Sequence, residues 1–294
     1  MGNYVAAYTA DFNMHLTAYH PAKAQRTTLA QEVAWLRSLL PIEEASARRA
    51  RDAGIFDGLR RTDVDNAARG AVRHDEIIFR RGWLELFSQV FRHNALLHTE
   101  VSAAEIVSVN WSTWFIKCCI AHAAAESDII GPPPGRGLEW EELASYSQVT
   151  ANEIQSIAAE IAASDLSVRP TGPIRTSSDK LNVVNASRKR YEQEKVLPIL
   201  IYIGDSCTDL ECLLAANVGI CIRDETMGSG QQELAETCGR LGTRMKNIGE
   251  CEYVRLERPV EEELNVLWWA RDFEEVDVWL TRHCNQQHEE EEFP

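Results

Sequence analysis

One stretch limits the folds open to this chain more than any other. Residues 196–203, VLPILIYI, form an apolar run that Gly204 and Asp205 close at once. A run of that length, apolar on both faces and ended by a turn, reads as a buried strand of a parallel sheet. Its neighbours support this reading. Lys180 to Lys195 has helical character, as does Leu210 to Ala216. Val218 to Ile222 is a second buried strand, and Gln231 to Leu241 is helical again. Strands alternating with helices predict an α/β fold with a parallel sheet covered on both faces. In such sheets reactive side chains lie just past the carboxyl ends of the strands.

The first hundred residues read differently, as helix almost throughout. Thr27 or Thr28 can cap a helix carrying Leu29, Val33, Leu36, Leu39 and Leu40, which Pro41 should stop. A second helix is expected over 42–53, ending at Gly54. A third is expected from Asp75 to His93, with Ile78, Leu86, Val90 and Phe91 near one face. Beyond residue 103, Glu105 to Val109 is a short β-branched run and Ser112 to Ala125 a helix. Residues 128–139, with three prolines between glycines, form a loop, and Ser147 to Ile154 can hold a strand. Near the end, Trp268, Trp269, Phe273 and Trp279 have partly helical spacing and suit a core-facing terminal helix. The expected division is a helical domain over 1–100, an α/β core over 101–288 and an acidic tail over 289–294.

Composition excludes several classes. The formal charge of −15 is the wrong sign for a nucleic-acid partner. No run approaches the ~18 apolar residues of a membrane span, and the first residues lack the pattern of a signal peptide. A cytoplasmic protein is the expectation. The eight cysteines form no CxxC pair and lie mostly in apolar stretches, as reduced core thiols do. The eight histidines show no metal-ligand spacing.

Chemistry concentrates after the apolar run. Asp205 follows the strand directly, and Asp209 stands four residues on, at the start of a helix. Two carboxylates at the open end of a parallel strand can hold a hard cation such as Mg²⁺. An acid in this position can equally be a helix cap. The longer string, Gly204-Asp-Ser-Cys-Thr-Asp-Leu-Glu-Cys-Leu-Leu-Ala-Ala-Asn-Val-Gly-Ile220, is more specific. It resembles motif IV of the haloacid dehalogenase (HAD) superfamily. The resemblance implies that Asp205 is a Mg²⁺ ligand and Asp209 its supporting carboxylate. Gly204, which lets the backbone turn tightly toward a ligand, and Ser206 would belong to the same pocket.

The family's other motifs can be sought in chain order. Thr176-Ser-Ser-Asp-Lys-Leu181 supplies Lys180 for the lysine of the third motif, an ammonium suited to phosphoryl oxygens. Glu105-Ile-Val-Ser-Val-Asn-Trp-Ser112 resembles the second motif. Ser108 would contact the phosphoryl group, Asn110 and Trp111 would line the pocket, and Ser112 would cap the next helix. Asn152-Glu153 is similar to an Asn-containing segment near the family's cap–core boundary. The helical first hundred residues resemble the C1 cap of a fungal subgroup of these phosphatases, with plant thiamine-monophosphate phosphatase domains as more distant relatives. The implied fold is a HAD-like Rossmannoid core with an N-terminal helical cap. The implied activity is Mg²⁺-dependent hydrolysis of a small phosphorylated metabolite.

One motif has no clear counterpart. The family's nucleophile belongs to Asp-x-Asp-Gly-Thr, whose first Asp attacks phosphorus and whose second transfers protons. Asp11 to Thr17 (DFNMHLT) is a partial match, but Asn13 cannot transfer protons, and Tyr4, Val5, Tyr8, Phe12 and Leu16 recur at helical spacing. The expectation is therefore a HAD-like chain without turnover. It is either a truncated gene product or a non-catalytic phosphate-binding or regulatory protein, and losing a central strand would make the former the less costly explanation.

Overall fold

The computed structural model describes residues 21–89, 104–127, 148–164, 173–193, 199–251 and 266–291. Its frame is parallel β-structure. β1 (Glu105–Val107) pairs with β2 (Gln148–Thr150) in one small sheet. β3 (Ile201–Gly204), β4 (Val218–Ile222), β5 (Arg244–Asn247) and β6 (Val266–Ala270) form a second, in the order β3-β4-β6-β5. Every pairing is parallel. The chain is thus a mixed α/β protein, as the alternation of strands and helices predicted.

The helices are α1 (Leu29–Ser38), α2 (Leu40–Asp52), α3 (Arg61–Arg73), α4 (Thr113–Glu126) and α5 (Gln155–Ser164). They continue with α6 (Ser177–Gln193), α7 (Leu210–Ala215), α8 (Ser229–Arg240) and α9 (Phe273–Glu291). Residues 83–89 are also helical. No helix among the described residues is long and apolar enough to cross a membrane.

The second sheet is covered on both faces, and β4 shows how. Val218, Ile220 and Ile222 pack with Leu86, Ile248, Val276 and Trp279 on one side. Cys221 packs with Leu36, Leu210, Leu213, Leu234 and Cys238 on the other. This is the two-residue period of a strand. Each fully buried aliphatic side chain here contributes about 1.5–3 kcal/mol relative to exposure. Helices from the first hundred residues share these clusters, α1 through Leu36 and residues 83–89 through Leu86. Helices α3 and α4 meet through small side chains, Ala68 packing with Cys118 and Cys119.

Several sequence expectations change. The first helix ends at Ser38, shortly before Pro41, and Pro41 itself stands in the first turn of α2, where its missing N–H costs nothing. The third helix does not begin at Asp75. That residue takes φ 55°, residues 74–82 are turn and coil, and Ile78 is largely solvent-exposed. Trp268 and Trp269 lie on β6 rather than on a helix, facing opposite clusters. Helices α3 and α5 and strand β5 were not anticipated. The loop expected over 128–139, the segment around Asp11 and the tail from 292 lie outside the described residues, as do residues 196–198 of the apolar run.

Candidate functional site at the carboxyl end of β3

Gly204 closes β3 where the chain passes under a carboxylate. A Cβ at this position would lie 2.5 Å from Cβ of Asp209 and 2.7 Å from its Cγ, so only glycine permits the approach. Beneath it Asp209 is buried and held by five donors. Lys180 Nζ donates to Oδ1 at 2.7 Å and the Tyr202 hydroxyl to the same oxygen at 2.8 Å. The Ser206 hydroxyl (2.8 Å) and the backbone N–H groups of Ser206 (3.2 Å) and Asp205 (3.3 Å) donate to Oδ2. Burial pushes the Asp209 carboxyl up, but the charge of Lys180 and these hydrogen bonds outweigh it and hold the group below the usual carboxylate range. Burial pushes the Tyr202 phenol far above its ordinary value, so it stays a proton donor to Asp209.

Lys180 reaches this point because its helix starts in the right place. Thr176 and Asp179 cap α6 reciprocally. Thr176 N–H donates to Asp179 Oδ2 at 2.9 Å, and Asp179 N–H donates back to Thr176 Oγ1 at 3.3 Å. The pair Lys180–Asp209 is almost fully withdrawn from water. Alongside, Glu211 is buried between Ser177 and Arg37, which ties α7 to the first turn of α6 and to α1.

Asp205 faces outward, its side chain 47% exposed. Its Oδ2 accepts from Arg80 Nη2 at 2.9 Å, and Arg80 Nη1 reaches Asp224, two residues past the end of β4. Asp224 also accepts from Gln231 Nε2 at 2.8 Å. Arg80 therefore clamps the acids that follow two adjacent parallel strands. Arg80, Tyr202 and Asp224 were not anticipated. Asp224 could have been found, since it follows a buried strand just as Asp205 does. Arg80, in coil and remote in sequence, gave no signal.

Mg²⁺ binds oxygen ligands, keeps several waters and needs only one or two carboxylates. Asp209 is filled by its donors and can only support, whereas Asp205 offers exposed oxygens once Arg80 yields. No group of three or more His, Cys, Asp or Glu side chains suited to a metal is found among the described residues.

The second predicted group gathers elsewhere. Ser108, just past β1, donates its N–H to Thr150 O, and its Oγ accepts from Asn110 N–H at 3.1 Å. Asn152 clips this loop down. Its side-chain amide donates to the carbonyls of Val109, Asn110 and Ile174, and its Oδ1 accepts from Ile174 N–H. Ser112 caps α4 as expected, accepting from Phe115 N–H. Trp111 stands 45% exposed beside Phe56. Among the described residues Ser108 makes its hydrogen bonds within this loop and β2 rather than with Lys180 or Asp209. The two groups connect through residues 174–180, clipped by Asn152 at one end and carrying Lys180 at the other.

Burial pushes Cys207 up to about 11 and Cys212 up to about 12, so they stay protonated and inert. No family model, curated protein or solved structure matches the chain.

Proposed function

We propose that this chain carries a HAD-type site for a small phosphorylated metabolite, and that these 294 residues bind such a ligand without hydrolysing it. In this reading Asp205 holds Mg²⁺ with Asp209 as its supporting carboxylate. Lys180 meets the phosphoryl group and Gly204 and Ser206 border the pocket; the motif resemblance assigns Ser108 to the phosphoryl group and Asn110 and Trp111 to the pocket as well, although these three gather in the loop after β1. Bound Mg²⁺ would neutralise charge on phosphoryl oxygens. The observation that carries the reading is the buried Lys180–Asp209 pair directly below Asp205. A lysine and an acid fixed at a strand's carboxyl end are a costly pair to bury for stability alone.

Hydrolysis in this family needs a free carboxylate nucleophile. Asp209 is saturated by donors, and Asp205 and Asp224 are clamped by Arg80. The clamp points the same way, to a non-catalytic phosphate-binding or regulatory protein rather than a phosphatase. The test is release of 4-nitrophenol from 4-nitrophenyl phosphate by the pure protein with Mg²⁺. No release above background is expected. Mg²⁺-dependent turnover that disappears in Asp205→Asn would contradict the non-catalytic part and reopen Asp11 as a nucleophile.

A further inference from the structure

A cavity of about 540 Å³ opens between the turn after α2, the loop after β1 and the start of α5. That volume falls within the range of small-molecule sites. None of Asp205, Asp209 or Lys180 lines it, although Trp111, which the phosphohydrolase-type reading also uses, does; variants at Arg175 and Asp205 tell the two apart.

Its lining has two kinds of chemistry. On one side stand Phe56 and Trp111, ring centroids 5.4 Å apart and tilted by 46°. The turn that carries Phe56 exists because Gly54 and Gly58 take φ 63° and 74°. Facing solvent at 45% exposure, Trp111 is a large aromatic surface left without full cover.

The other kind is charged, two arginines and two acids. Arg175 lines the cavity, and its buried Nε has no acceptor among the described residues. A buried guanidinium N–H without a partner forfeits a charge-assisted hydrogen bond, and a ligand anion can supply it. Arg51, from the last turn of α2, lines the same space, as does Ser156 in the first turn of α5. A helix N-terminus adds partial positive charge. Two acids also line the cavity. Glu153 is already spent on the Ser112 hydroxyl and the N–H groups of Trp114 and Ile154, while Asp57 lies on the exposed turn.

We propose that this cavity binds a small anion carried on a planar ring, an aryl carboxylate or aryl phosphate. The ring rests against Phe56 and Trp111, and the anion meets Arg175.

The experiment is isothermal titration of the full chain with phenyl phosphate and with benzoate, beside inorganic phosphate and benzyl alcohol. A ring-bearing anion should bind more tightly than either ringless phosphate or the uncharged ring. Arg175→Gln should weaken it roughly ten- to hundredfold, the usual worth of a charge-assisted hydrogen bond. Trp111→Ala, at a half-exposed position that does not threaten folding, should weaken it as well. In the absence of Mg²⁺, benzoate, which carries no phosphoryl group for the Asp205 site, should bind Asp205→Asn as it binds the natural chain. Absence of binding by both ring-bearing anions overturns the proposal, as does binding indifferent to Arg175→Gln and Trp111→Ala. Phenyl phosphate affinity lost in Asp205→Asn but kept in Arg175→Gln places the ligand at Asp205. That result would reject the cavity and leave the phosphate-site reading standing.

Discussion

Asp209 shows how one side chain can organise a site without being available to a ligand. Its two oxygens receive five donors, so its charge is met by Lys180 and its lone pairs are filled. Because its carboxyl is held below the ordinary value of 3.8, the folded state binds its proton less readily than the unfolded chain does. The stabilisation is then complete above the unfolded pKa and is lost as pH falls through the lowered folded one. Urea unfolding from pH 7 to pH 2, in the natural chain and in Asp209→Asn, checks this. The advantage of the natural chain should shrink across the acid range below pH 4; a difference constant with pH would contradict it. At this scale the sequence was informative about identity and silent about partners. Asp205 and Asp209 stood out by their short spacing after the apolar run, whereas Lys180 was picked out only through the motif resemblance and its place in chain order. Tyr202 was hidden inside an apolar run, and Arg80 acts across 125 positions of sequence.

Elements were legible where local chemistry decides them. Thr28 and Gln31 make the capping box that starts α1, and Thr176 with Asp179 starts α6. Strand β4 coincides with its apolar run because all five residues are buried. Where tertiary packing decides, the pattern failed. Helix α3 buries only Val64, Ala68 and Ala71, side chains too small to mark an apolar stripe. Strand β5, RMKN, alternates exposed and partly buried residues at the end of its sheet and carries no β-branched residue. The attachment of α1 to α8 also escaped notice. Glu32 is buried between Arg26, at 2.9 Å, and Arg240, at 2.6 Å. Glu32→Ala would leave two largely buried guanidinium groups without their acid and should cost about 3–5 kcal/mol. Denaturant unfolding measures it, and a loss under about 1 kcal/mol, the level of a surface pair, would show that the triad is weakly coupled.

At the scale of the molecule, parallel strands bring the acids after β3 and β4 side by side, and α6 delivers a lysine beneath them. The α/β class followed from alternation alone. The clamp could not, because Arg80 comes from a coil segment that the helical reading of 75–93 misassigned. On the proposed reading, Mg²⁺ and Arg80 would compete for Asp205. Calorimetric titration of Mg²⁺ into the natural chain, Arg80→Ala and Asp205→Asn tests the phosphate-site account most directly. Weak binding is expected in the natural chain, tighter binding in Arg80→Ala and none in Asp205→Asn. Mg²⁺ affinity that is absent throughout, or that survives Asp205→Asn unchanged, would contradict it.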